Sequence, residues 1–194
     1  MTKSTHLLLT LLLASCASFN KTDIPPGQPV IGLGFSFTVP TQKSWFAVEY
    51  GTSHRIKLSQ LNHKDSYSIL VSITRGPYQG MYQNAEAHLQ SIQYHQQKKR
   101  KKPGFVEYMH QEWIDSKYGD LCIRYTFSGE NWKGRNSDGP AIVDEIGLSC
   151  PHPYLHNALI RIELLRRSET DADKVDLAAY AETLFSSFEY YSLD

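Results

Sequence analysis

Three cysteines and a scatter of histidines hold most of the chemistry this sequence could perform. Cys16 ends the segment Leu13-Ala14-Ser15-Cys16, which closes an apolar run starting at Leu7 behind Lys3 and His6. A cationic start, a short hydrophobic stretch and small residues before a cysteine are the elements of a bacterial lipobox. Cleavage there leaves the cysteine first in the chain, with its thiol and amine free to accept diacylglycerol and palmitate. The apolar run is shorter than the roughly 20 residues a spanning helix needs, so the anchor is expected to be the acyl chains. Residues 1–15 thus read as a lipoprotein signal peptide, and residues 16–31 as the lipidated Cys16 and a tether stiffened by Pro25, Pro26 and Pro29. Ala17 and Ser18 follow the cysteine with no aspartate, the pattern that sorts enteric-type lipoproteins to the outer membrane, facing the periplasm.

Cys122 and Cys150 are the remaining thiols, and an exported chain meets an oxidising compartment, so the expected assignment is a disulfide. It would close a loop of about 29 residues and stabilise the fold by roughly 3 to 4 kcal/mol. The sharper alternative makes Cys150, His152 and His156 metal ligands, since sulfur and imidazole together suit zinc or copper. Pro151 and Pro153 stiffen that turn, and no fourth ligand stands at typical spacing. His88 and His95 lie seven residues apart on a predicted helix, about 10.5 Å along its axis, too far to share a ligand; they read as boundary residues beside the core stripe. His110 and Glu112 share one side of a predicted strand.

Nucleophile motifs are missing. The sequence has no Gly-x-Ser-x-Gly elbow, no His-Glu-x-x-His pair and no phosphate-cradling glycine loop. Gly32-Leu33-Gly34 precedes a strand and reads as a turn, and Ser18-Phe19-Asn20-Lys21 sits on the tether, where nothing could hold a nucleophile against its base. Asp144 and Glu145 are adjacent on a strand and face opposite ways. Two surface features could instead bind. Lys98, Lys99, Arg100, Lys101 and Lys102 form a basic run, which reads first as a solvated helix end and could also meet anionic headgroups close to the anchor. Trp132, with Lys133 and Arg135 in the aperiodic stretch 129–140, has the composition of an interface anchor.

The elements that must position these groups follow from periodicity. Alternation predicts strands at 34–39, 45–50, 55–61 and 67–74, then at 105–116, 121–128, 141–150 and 158–165. In the last of these, the face made by Ile160, Ile162 and Leu164 is the one expected to be buried. Ala85, Leu89, Ile92 and Gln96 fall at helical spacing behind an Asn84 cap, and Pro103-Gly104 ends that helix near residue 102. Leu177, Ala181, Leu184 and Phe188 give a second helix, with Thr170 and Asp173 as its capping signal. The class is α+β, an antiparallel sheet with two main helices. The 20 basic and 20 acidic residues cancel, which argues against nucleic acid as a partner, and no cofactor is expected.

This order of elements carries a resemblance. A strand running into Phe37-Thr38-Val39-Pro40 with Trp45 soon after, two hairpins, a helix, a meander and a last helix ending Leu184-Phe185-Ser186-Ser187-Phe188 resemble the PsbP-like fold. That family is named for an extrinsic photosystem II subunit and includes small envelope lipoproteins of the DcrB type. The resemblance covers residues 32–191 and implies one α/β/α sandwich domain, used mostly for binding or assembly. It supplies no catalytic residues to carry over. The expected function is therefore a noncatalytic, membrane-anchored lipoprotein of the bacterial cell envelope, held by its N-terminal lipid and binding a protein or envelope component. The alternative is a small hydrolase or metal-binding envelope enzyme built on His152, His156 and nearby carboxylates.

Overall fold

The computed structural model describes residues 22–41, 44–52, 55–61, 65–75, 84–100, 103–132, 140–169 and 176–193; the side chains of 49–52, 61, 99 and 100 are outside that description. In chain order the elements are β1 (Thr22–Ile24), β2 (Pro29–Ile31), β3 (Phe35–Thr38), β4 (Trp45–Thr52), β5 (Arg55–Leu61), β6 (Asp65–Arg75), α1 (Ala85–Arg100), β7 (Phe105–Ile114), β8 (Ile123–Asn131), β9 (Ala141–Pro151), β10 (Ala158–Ser168), α2 (Leu177–Ser186) and β11 (Glu189–Tyr190). Eight strands form one antiparallel sheet in the order β1-β4-β5-β6-β10-β9-β8-β7, and β11-β3-β2 form a small second sheet. Two meanders, β4 to β6 and β7 to β10, meet where β10 pairs with β6 along their full lengths, Ala158 opposite Arg75 to Ser168 opposite Asp65.

The two faces of the large sheet are covered differently. Ile160, Ile162 and Leu164 of β10, Ile69 and Val71 of β6, and Leu148 of β9 are at most 2% exposed in the main core, together with Ala181, Leu184 and Phe185 of α2 and with the small sheet. On the opposite face Ile92 of α1 packs with Ile123 and Tyr125 of β8. The β10 face expected to be solvated is also partly closed: Leu159 is 5% exposed and Glu163 8%. Tyr125 is the reason at Glu163, because its hydroxyl donates to the Glu163 carboxylate at 2.7 Å across the sheet. Gly147 leaves room for that ring, since a Cβ there would stand 2.1 Å from Tyr125 Cζ. Burial and the adjacent carboxylates hold the Tyr125 hydroxyl well above its usual range.

Local sequence explains the helix ends, with one correction. Asn84 Oδ1 accepts from the Ala87 amide at 2.7 Å, the expected cap of α1. The cap of α2 is Asp176, whose carboxylate accepts from the Ala179 amide at 3.0 Å; Thr170 and Asp173 lie outside the described residues. Phe188 falls beyond the helix, where its ring stacks on Phe35 with centroids 5.4 Å apart. The reading of residues 16–31 as a tether is corrected in its second half. Thr22–Ile24 pairs with β4 at one edge of the large sheet, and Pro29–Ile31 pairs with β3, with Ile24 and Val30 buried. Cys16 and the preceding signal lie outside the described residues.

Candidate functional site

The cysteines and histidines are placed for structure. Cys122 and Cys150 are joined in a disulfide between the entry to β8 and the end of β9, both nearly fully buried. His152 is 5% exposed; its Nε2–H donates to the Gly34 carbonyl at 3.0 Å, and its Nδ1 accepts from the Tyr154 and Leu155 amides at 3.2 and 3.1 Å. Gly34 needs to be glycine twice over, with φ +75° and only 2.8 Å between a built Cβ and His152 Nε2. His156 is exposed and stands apart. The metal reading of Cys150, His152 and His156 is thereby corrected, because the sulfur is bonded and both His152 nitrogens are engaged. No group of three metal-capable side chains occurs among the described residues.

His88 is the second correction. It is fully buried, because α1 lays it across the ends of β8 and β9, whereas the sequence places it at a boundary. Its Nδ1–H donates to the Leu121 carbonyl at 2.7 Å, which leaves Nε2 to accept from Ser149 Oγ at 3.2 Å. That is a serine–histidine pair in the tautomer a general base uses. Ser149 is also fully buried, and the groups around the pair seal it, so it serves as a satisfied polar contact under the helix. Burial holds the His88 imidazole below its ordinary pKa, with the Arg161 charge acting in the same direction.

Exposed chemistry gathers on and beside β7. Among the described residues this ten-residue strand forms the edge of the large sheet, paired on one side only, with β8. It exposes Val106 (46%), Tyr108 (57%), Met109 (49%), Trp113 (37%) and Ile114 (37%). A register shift between Glu107 and Met109 bulges the strand at Tyr108, whose hydroxyl donates to Glu130. Trp132 is exposed at 59%, and its amide donates to the Gly104 carbonyl at 2.8 Å, which sets it beside the start of β7. Lys133, Arg135, Lys101 and Lys102 lie outside the described residues, as do the side chains of Lys99 and Arg100. Lys98 stands 4.4 Å over the Tyr94 ring on α1.

A groove flanks the strand on each face of the sheet. On the α2 side, about 540 Å³ is lined by Met109, Ile142, Ile146 and Leu177 around Arg166 and Asp144. Arg166 is buried, with Asp144 at 3.6 Å and Asp65 at 3.8 Å, and Ser128 donates to Asp144 at 2.7 Å. Its charge is matched inside the protein, so this groove offers apolar surface. On the α1 side, about 420 Å³ is lined by Gln90, Gln93, Tyr94, Gln97, His110 and Glu112. The sequence points to His110 with Glu112 but not to the three glutamines, which only the packing of α1 against β7 brings to them. The uneven apolar pattern of β7 was the readable signal for the edge, since Phe105, Val106, Tyr108, Met109, Trp113 and Ile114 follow no period of two.

Comparison with known proteins adds a resemblance in fold. The chain is similar to cyanobacterial PsbP (CyanoP) from Synechocystis sp. PCC 6803, with 17% identity, a TM-score of 0.48, and coverage of 92% of this chain and 99% of that one. It is also similar to LpqN, described as involved in cell envelope biogenesis of Mycobacterium tuberculosis, with 12% identity, a TM-score of 0.35, and coverage of 89% and 92%. No family model matches the chain, and no curated protein does. Among the described residues, no helix is long and apolar enough to cross a membrane.

Proposed function

We propose that this chain is a noncatalytic lipoprotein of a bacterial cell envelope, anchored by acyl chains on Cys16, whose α/β/α sandwich domain docks a protein partner by strand addition along β7. The observation that carries the reading is the ten-residue edge with five large exposed apolar side chains. Free sheet edges invite pairing, and chains that must stay unpaired blunt them with lysines or prolines. β7 has neither and contains no arginine, while it carries the exposed Glu107. An extended partner segment with alternate apolar side chains and some lysine or arginine fits both the backbone and the charge. A lipid anchor would raise the effective concentration of the module at the membrane, so a modest edge affinity suffices.

Two experiments test this reading. Palmitate labelling in the native host should mark the chain and disappear in Cys16→Ala. Photo-crosslinkers at Val106, Met109 and Trp113 should capture one partner through an extended segment, and Val106→Lys with Met109→Lys should abolish capture without lowering the melting temperature. Capture that survives both lysines removes β7 as the docking edge.

A further inference from the structure

The groove between α1 and β7 carries chemistry that strand addition does not use. Its lining has no aliphatic side chain: Gln90, Gln93 and Gln97 come from one side of α1, Tyr94 from the same helix, and His110 and Glu112 from β7. Glu112 is the informative member. Its side chain is 6% exposed and lines the groove, yet its nearest polar contact among the described residues is His110 Nε2 at 4.0 Å, beyond hydrogen-bond range. His110 Nδ1–H donates to the Glu107 carboxylate, and its Nε2 faces Glu112 across that gap. The Glu112 carboxylate therefore lines the groove with no hydrogen bond from a side chain or amide among the described residues, in a place where an unsatisfied carboxylate is costly.

We infer that this groove is a binding site for a neutral, hydroxyl-rich ligand of the saccharide class. A sugar hydroxyl placed between Glu112 and His110 donates its one proton to the Glu112 carboxylate, and its oxygen lone pairs are open to an imidazole N–H. The glutamine amides present paired donors and acceptors, which match vicinal hydroxyls, and Tyr94, 55% exposed with Lys98 4.4 Å over its ring, adds an aromatic wall beside which the C–H side of a pyranose can pack. An anion is disfavoured by Glu112, and an apolar ligand would strand the amides. The volume of about 420 Å³ is within the range of small-ligand sites and open enough to admit one ring of a longer glycan.

The test uses the full-length lipidated chain in a non-glycosidic detergent, titrated calorimetrically with chitotetraose, maltotetraose, their monomers and the acyclic polyol sorbitol. One of the tetrasaccharides should bind with a Kd of about 1 mM or tighter. Tyr94→Ala, at an exposed position, and Glu112→Gln, which keeps the shape, should each weaken it about tenfold. A tetramer that binds tighter than its monomer assigns the site to a polymeric glycan, and equal binding assigns it to free sugars. No heat from any sugar up to about 10 mM, or binding unchanged in both variants, overturns the inference. Because Val106 does not line the groove, Val106→Lys should leave sugar binding intact. Loss of sugar binding with partner capture retained would remove this inference alone.

Discussion

β10 and β7 are similar in length and both rich in large apolar residues, yet one is the best buried strand of the sheet and the other the least. In β10, Leu159, Ile160, Ile162 and Leu164 are at most 5% exposed, flanked by β6 and β9 and covered by α2. In β7, five large apolar side chains are at least 37% exposed. Apolar composition therefore does not decide burial; the number of neighbouring strands and the layer above do. One set of side chains holds the fold together, and the other is the surface on which the proposed docking rests.

The sharpest way to break that comparison is to attack the centre. Removing the disulfide with Cys122→Ala and Cys150→Ala, which frees a closed loop spanning 28 positions, should cost about 3.5 kcal/mol in the urea midpoint. Leu164→Ala should cost about 3 kcal/mol by the same measurement, since a fully buried leucine leaves a cavity that the β6 and β9 neighbours cannot close. If Leu164→Ala were as mild as a β7 substitution, the contrast between the strands would fail.

Acid should act on the centre before the edge. Burial lowers the imidazole pKa of both His88 and His152 in the folded chain, so below the ordinary value of 6.5 the unfolded chain takes up protons that the folded chain refuses. Stability is then full above that value and falls as pH drops through and below it. The urea midpoint should decline between pH 7.5 and pH 5, and His88→Gln should flatten the decline. Glu182 adds a second, lower window. Hydrogen bonds from Lys117, Arg124 and Tyr118 hold its carboxyl down at about 2, so its contribution is present above its ordinary value of 4.5 and is lost between there and about 2. Half-exposed as it is, Glu182→Gln should cost no more than about 1 kcal/mol at pH 7.

The smallest expected effect sharpens the comparison from the other side. Met109→Lys, on an exposed side chain, should change stability by less than about 0.5 kcal/mol while removing partner capture. A loss of several kcal/mol there would show β7 to be a structural strand.

Much of the fold was legible because its signals are local. Asn84 caps α1, Pro103-Gly104 follows its end, and the strands of both meanders stand within a few residues of their periodic runs. β1 and β2 were not legible: three-residue strands amid prolines carry no alternation, and their pairing with β4 and β3 depends on residues far along the chain. The Asp176 cap was missed because Thr170 with Asp173 makes the stronger local pattern. His88 looked like a boundary residue because α1 has no strong apolar stripe; its burial follows from Leu121 and Ser149 meeting it from two other elements. The metal reading failed for a related reason. Spacing alone cannot show that Cys150 faces Cys122, or that the Gly34 carbonyl, 118 positions away, accepts the hydrogen bond from His152.

By itself the sequence determined the α+β class and the order of the longer strands and both helices, because each depends on residue type over a short span. Only the tertiary structure decided which strand became the edge, and which polar groups were sealed or left facing a groove. His88 and His110 show the difference, one fully buried under α1 and the other in an open groove beside Glu112. Their residue type is the same; Leu121 and Ser149, more than thirty residues away, close over His88, whereas the residues bonded or nearest to His110 are its strand neighbours Glu107 and Glu112.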